Sequence, residues 1–285
     1  MSLRILLLGH TGKMGLALQH AFAGLGTVIG YNSTTLNAAD PEAVAEVVRH
    51  NQPDLLINTI AFLGIDPCEK DPLLAQQINT LFPRQLAQLA AELNAVLIHF
   101  STDAVFPDLA EGAYTEEMCP QPINLYGASK WMGDCMVMHH APRHYIFRLP
   151  LLFGPASKAN QFMERMLSLL EQGRPQLRVA EDIISSPSYS RDLAAEVRRV
   201  YAERYPWGVY HLSNSGTGSL YELMHEVGKH LQIAEKIHPA SYREFPSLGV
   251  KQTRTPLVSL KLPPLRPWQE AVAAYCQLLK GMSDD

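Results

Sequence analysis

The chain is poor in cysteine and shows none of the spacings that bind metals or build disulfide frameworks. Cys68, Cys119, Cys135 and Cys276 lie far apart with no Cys-x-x-Cys pair, which points to reduced thiols in a cytoplasmic protein. An excess of positive charge is also missing. The formal net charge of −4 offers nucleic acid no basic surface. The apolar start runs for only about six residues before glycines interrupt it, too short for a targeting or membrane segment. Internal repeats and low-complexity tracts are absent. What remains is 285 residues, 47% of them apolar. That suffices for one large domain, or a large one with a smaller appendage.

The first thing present is a strand-turn-helix. Ser2 to Leu8 reads as a strand buried on both faces of a parallel sheet. It runs into Gly9-His10-Thr11-Gly12-Lys13-Met14-Gly15, and Leu16 to Phe22 continue with helical periodicity. Glycines here permit a tight turn and let a pyrophosphate approach the N–H groups at the helix start. The same glycines would also suit a plain strand-helix junction. The second strand, Thr27 to Tyr31, is followed by Asn32, Ser33 and Thr34 rather than by an acid. An acid there would hold the ribose 2′-OH of NAD and repel a 2′-phosphate. Its absence leaves NADP open. Lys13 is the only cation nearby in sequence, so the reading leans to NADPH, with dual use of NADH expected.

Leu125-Tyr126-Gly127-Ala128-Ser129-Lys130 places a tyrosine and a lysine four residues apart. On a helix they share a face. An ammonium beside a phenol favours the phenolate, so the spacing predicts a Tyr126 pKa pulled down toward neutrality and a proton donor suited to a carbonyl oxygen. Upstream, the strand Val96 to Phe100 ends in Ser101-Thr102-Asp103. Thr102 and Asp103 are candidate site residues, with an N-cap pair opening a turn as the lesser alternative.

Along the first half, strands and helices alternate. Pro41 to His50, Pro72 to Leu93 and Tyr126 to His140 read as helices; Asp54 to Asn58 and Tyr145 to Leu149 read as strands. This predicts an α/β fold: a Rossmann-type, doubly wound parallel sheet with ligands at the carboxyl ends of its strands. Residues 1–150, with about 190–214, are expected to form the NAD(P)-binding domain. About 151–189 and 215–285 are expected to form a smaller C-terminal substrate-binding lobe. There Gln161 to Leu170, Asp192 to Arg204, Ser219 to Leu231 and Trp268 to Lys280 read as helices, and Pro239 to Pro264 as mostly loop.

With these residues in place, the chain resembles the extended short-chain dehydrogenase/reductase superfamily and, within it, the dTDP-4-dehydrorhamnose reductase family. The likeness rests on the Gly9 to Gly15 loop, Asn58 to Glu69, Ser101 to Phe106, Tyr114-Thr115-Glu116, Pro122 to Lys130, Arg148 to Gly154, and Ser186 to Tyr189 with Asp192-Leu193-Ala194. It implies an NAD(P)H-dependent reductase of a nucleotide-linked 4-keto-6-deoxyhexose. It also implies roles: Tyr126 as proton donor, Lys130 on the nicotinamide ribose, and Thr102 on the carbonyl oxygen, with Asp103 at the sugar. Gly9, Thr11, Gly12, Lys13, Met14 and Gly15 would cradle the pyrophosphate. Asn37, Ile60, Ala61 and Phe62 would complete the cofactor site. No metal ligand set is implied, and the oligomeric state is left open, a homodimer included.

The chain departs from the family at the substrate side. Ala104 stands where a tyrosine is usual, Leu151 where a tryptophan is frequent, Gln161-Phe162-Met163 for Asn-Phe-Val, and Ile183 for a polar Gln. Thr255-Pro256 takes the place of an Arg-Pro, with Arg254 one place off. Losing an aromatic removes stacking area worth about a kcal/mol. The readings that remain beside the first are a reductase or epimerase of another sugar nucleotide or small ketone, and a non-catalytic subunit similar to the β subunit of methionine adenosyltransferase.

Overall fold

The N-terminal apolar run forms β1 (Leu3–Leu8). Its Ile5 and Leu7 pack into a core on one face of the sheet and Leu6 and Leu8 into a second core on the other. Both faces are covered, so no polar alternation appears. The computed structural model describes residues 2–156 and 161–283. The strands that follow are β2 (Gly26–Tyr31), β3 (Leu55–Asn58), β4 (Val96–Thr102) and β5 (His144–Leu149). Next come β6 (Leu152–Phe153), β7 (Leu177–Ala180), β8 (Ile184–Ser185) and β9 (Ser188–Tyr189). The last are β10 (Gly208–His211), β11 (Gly218–Ser219) and β12 (Ile237–Ala240).

Six of these strands pair in parallel in the order β2-β1-β3-β4-β5-β10. The order reverses between β1 and β3. In such sheets the crevice beyond the carboxyl ends at this reversal is where ligands bind.

Ten helices are described: α1 (Lys13–Phe22), α2 (Pro41–Asn51), α3 (Ile65–Lys70), α4 (Pro72–Gln76) and α5 (Phe82–Glu92), then α6 (Leu125–His140), α7 (Phe162–Glu171), α8 (Ser190–Ala202), α9 (Leu220–Leu231) and α10 (Trp268–Ser283). α1 and α8 cover one face of the sheet; α2, α5 and α6 cover the other. A third apolar cluster gathers Met163 of α7, Leu223 and Val227 of α9, and Val272 and Tyr275 of α10 around Leu177, Val179 and Phe153. The short strands pair as β7 with β12, β8 with β11, and β6 with β9.

The long helix expected over Pro72 to Leu93 is interrupted. Between α4 and α5 lies a π-helical turn, Gln77–Leu81. Pro83 has no N–H to give the carbonyl of Asn79 four residues back, so the ladder widens there. That carbonyl packs so close to α6 that a Cβ on Gly133 would lie 2.1 Å from it. Asn79 in turn clamps Phe62, accepting from its N–H at 2.9 Å and donating to its carbonyl at 3.0 Å.

Candidate active site

The dinucleotide loop sits at the reversal of strand order. Gly9 has φ +87° and lies against the end of β3, where an added Cβ would be 2.4 Å from Thr59 Oγ1. An added Cβ on Gly15 would be 2.2 Å from the carbonyl of Gly9. These two glycines therefore make the tight turn and the close helix approach. α1 starts at Gly12 with no side-chain cap and no acid in its first turn. Its first N–H groups are thus available to an anion, with the helix dipole behind them.

A cavity of about 280 Å³ opens there, lined by Gly12, Lys13, Met14, Thr59, Ala61, Thr102, Tyr126 and Lys130, with Leu151 and Phe162 from beyond the sheet. The structure thus brings together most of the residues expected from sequence. Some it does not. Ile60 packs into the core beneath α2 and α5, and Phe62 is held by Asn79; alternate residues of this strand extension point opposite ways, so Thr59 and Ala61 reach the cavity instead. Asn37 is exposed and closes its own turn by accepting from the N–H of Ala39 at 3.1 Å.

Lys13 lines the same cavity. Its ammonium is buried, donating to the carbonyl of Leu152 at 3.1 Å and pairing with Glu164 of α7 at 2.9 Å. Burial pushes its pKa down and Glu164 opposes the fall. Both partners, Leu152 and Glu164, come from the chain after β5 and not from the end of β2. The sequence-based lean to NADPH therefore loses the cation it rested on. The ring beside β2 is that of His10, against which a Cβ on Gly30 would clash at 2.6 Å.

α6 begins where Asn124 accepts from the N–H of Gly127 at 2.9 Å, a cap worth about 1 kcal/mol. Glu69 of α3 accepts from the N–H of Leu125 at 3.0 Å, a negative charge at the positive end of the helix. Gly127 admits no side chain, since its Cβ would sit 2.0 Å from the carbonyl of Ala104. This packing presses the first turn of α6 against the strand end that carries Thr102.

Thr102 and Tyr126 meet where two cavities join. Thr102 accepts from the N–H of Ala104 at 3.1 Å, capping the turn Asp103–Val105. The capping reading of Thr102 therefore holds, and the same residue lines the cavity. Asp103 accepts from the hydroxyls of Thr255 at 2.8 Å, Thr102 at 3.1 Å and Ser185 at 3.3 Å. Burial raises its pKa against the pull of these three donors.

The expected lowering of the Tyr126 pKa is not what the structure shows. Burial pushes the phenol well above its ordinary value, with Asp103 and Asp134 adding to the rise and only Thr102 opposing it. The geometric reason is that Lys130 lies one helical turn deeper. It is fully buried and donates to the carbonyl of Phe100 at 2.7 Å. Burial pushes Lys130 down to about 8, and Asp134 works against that. Tyr126 is therefore held in its acid form at neutral pH, the state a proton donor needs.

A larger cavity of about 550 Å³ meets the first one, and both are lined by Thr102, Tyr126, Pro150 and Leu151. Its walls include Asp103, Ala104, Ile183, Ser185 and Thr255. Two cations missed in the sequence, Arg165 and Lys251, also line it. Neither belongs to a motif, and only the return of the C-terminal loop over the sheet brings Lys251 there. Arg254 faces elsewhere, into a third cavity with His211 and Leu257. Its backbone is tied to Asp108 and bridged to Ile184, so Thr255 takes the inward position. Among the described residues no three His, Cys, Asp or Glu side chains gather as metal ligands, and no helix is long and apolar enough to cross a membrane.

Comparison with known proteins agrees with this geometry. Residues 3–280 match the family described as the RmlD substrate binding domain. The dTDP-4-dehydrorhamnose reductase of Escherichia coli K12 is 35% identical over 77% of this chain and 75% of its own length. A dTDP-4-dehydrorhamnose reductase from Clostridium acetobutylicum superposes with a TM-score of 0.90 at 29% identity, covering 97% of this chain and 99% of that one. The reductase of that name from Bacillus anthracis, solved in complex with NADP, gives 0.90 at 26% identity over 96% and 99%.

Proposed function

Because the chain belongs to the RmlD substrate-binding-domain family, that of the dTDP-4-dehydrorhamnose reductases within the extended short-chain dehydrogenase/reductase superfamily, we propose that it reduces the 4-keto group of a dTDP-linked 6-deoxyhexose. It is an NAD(P)-dependent oxidoreductase of that type. The observation that carries the reading is the meeting of two cavities at Thr102 and Tyr126. One has an uncapped helix start for an anionic cofactor, and the other has room and cations for a sugar nucleotide.

Gly12, Met14, Thr59 and Ala61 would hold the cofactor, with Gly9 and Gly15 shaping the loop. The bound nicotinamide supplies hydride to the sugar carbonyl carbon. Tyr126 transfers its proton to the carbonyl oxygen as charge develops there, so the ketone becomes an alcohol. Thr102 would turn its hydroxyl from Asp103 to the same oxygen, a contact that strengthens as the oxygen becomes negative. Lys130 stands behind the phenol and stabilises the phenolate left after transfer. Asp103, still held by the hydroxyls of Thr255 and Ser185, orients the sugar. Arg165 and Lys251 take the diphosphate, since this chain has no arginine at position 255 to do so.

Residues 1–150 and about 190–214 act as the cofactor unit, because β10 returns to the main sheet. About 151–189 and 215–285 act as the substrate lobe, because the third apolar cluster is built from them.

The test is turnover of a panel of dTDP-, UDP-, GDP- and CDP-linked 4-keto sugars, followed by nicotinamide absorbance. The dTDP sugar is expected to lead by about tenfold or more in kcat/KM. Failure to reduce any dTDP-linked ketone overturns the reading. A second expectation concerns the cofactor. With neither an acid nor an arginine after β2, KM for NADPH and NADH should agree within about tenfold. A preference of about a hundredfold either way would contradict this.

A further inference from the structure

Asp134 falls on the same stripe of α6 as Tyr126 and Lys130, one more helical turn along. It is completely buried. Ser101 of β4 donates to its Oδ2 at 2.8 Å, and Arg148 of β5 reaches the same oxygen at 3.4 Å. The Arg148 guanidinium stacks over Phe106 and Trp131, at 5.4 and 5.3 Å from their centroids, which fixes its direction. His99 of β4 places Nε2 3.8 Å from Oδ1. Asn58 meets the other ring nitrogen at 3.1 Å, and burial holds His99 well below its ordinary value. With Asn58 donating to Nδ1, the neutral ring carries its proton on the side of Asp134. On its own helix, Asp134 is sensed by Tyr126, Lys130 and Cys135.

We propose that Asp134 is the positioning residue of the site: anchored by Ser101 and Arg148, its carboxylate is the counter-charge that keeps the buried Lys130 ammonium charged behind Tyr126. The inference rests on the role given above to Lys130. An ammonium so deeply buried loses hydration that one carbonyl does not replace, and a fixed anion one turn away restores part of it. A residue needed only to neutralise Arg148 would not have to lie beneath the lysine.

The direction of the effect is set by Lys130. Burial has already lowered it to about 8. Activity that needs the ammonium is present below that pKa and fades as pH rises through it. Removing the carboxylate lowers Lys130 further, so the alkaline limb moves to lower pH.

The experiment is a kcat profile from about pH 6 to pH 10 for wild type, Asp134→Asn and Asp134→Glu. Asp134→Asn is expected to shift the alkaline limb down by about one pH unit, while Asp134→Glu restores it. A purely structural partner of Arg148 would lower kcat at every pH and leave the limb in place, which overturns the proposal. Where Asp134→Asn does not fold, Asp134→Leu combined with Arg148→Met removes both buried charges together. Losing the cation as well offsets the lost anion, so its limb is compared with that of Arg148→Met alone: it is expected about one pH unit lower, and equal limbs refute the proposal. The pH dependence of NADPH binding, followed by nicotinamide fluorescence, reads Lys130 without turnover. If no nucleotide sugar is reduced, the functional reading fails, and the binding limb alone decides the role of Asp134.

Discussion

Tyr126→Phe is expected to lower kcat by about 10³-fold while leaving NADPH affinity within a few-fold of wild type. Among the described residues the phenol and Thr102 are the hydroxyls shared by both cavities, and Thr102 already gives its proton to Asp103. Removing one oxygen atom opens no cavity large enough to disturb α6, so the variant should fold normally. Fluorescence titration with NADPH and steady-state turnover check the two halves of the expectation. Turnover above about a tenth of wild type would move the proton donor elsewhere.

Arg148→Ala should produce the largest loss of stability. Arg148 is buried beside Asp134 and, with Lys130 and Ser101, opposes the rise that burial imposes on its carboxyl. Taking away one member leaves a carboxylate without its cation, at a cost of about 3–5 kcal/mol. The stacking on Phe106 and Trp131 is lost as well. For a chain of this size that corresponds to a fall of about 10 °C in Tm. The comparison is Arg49→Ala, which breaks a bidentate pair with Glu92 on the open surface. Its Tm should stay at the wild-type value, because water and salt screen that pair. Equal losses in the two variants would contradict the account of the buried network.

The sheet was legible because its strands are buried on both faces. Ile5 to Leu8 and Leu55 to Ile57 are apolar without interruption, and Leu97 to Phe100 is broken only by the buried His99; runs that short between turns have few other places to go. The glycine loop and the Tyr126–Lys130 spacing were legible because their geometry is local. What failed was orientation. Lys130 reaching for the carbonyl of Phe100, Lys13 turning to Glu164, and Arg254 facing away from the sugar cavity all depend on partners tens of residues distant. Asp134 was visible at the right spacing, yet an acid on a helix usually faces water, and only β4 and β5 closing over it make it a buried group. Strands of two residues, such as β8 and β11, have too little length to show any periodicity.

The widened turn at Gln77–Leu81 bears on how the chain can change length. A π-helical turn holds one residue more than the α-helix it interrupts. Deleting a single position there would let the ladder close, and everything on one side would turn by about 100° relative to the other. Either Leu86, Leu89 and Ala90 would leave the core or Asn79 would release Phe62 and Ser129. The surface loops of this protein can lose or gain residues cheaply. This stretch of helix cannot, and descendants of the sequence should keep its residue count even where they change every side chain around it.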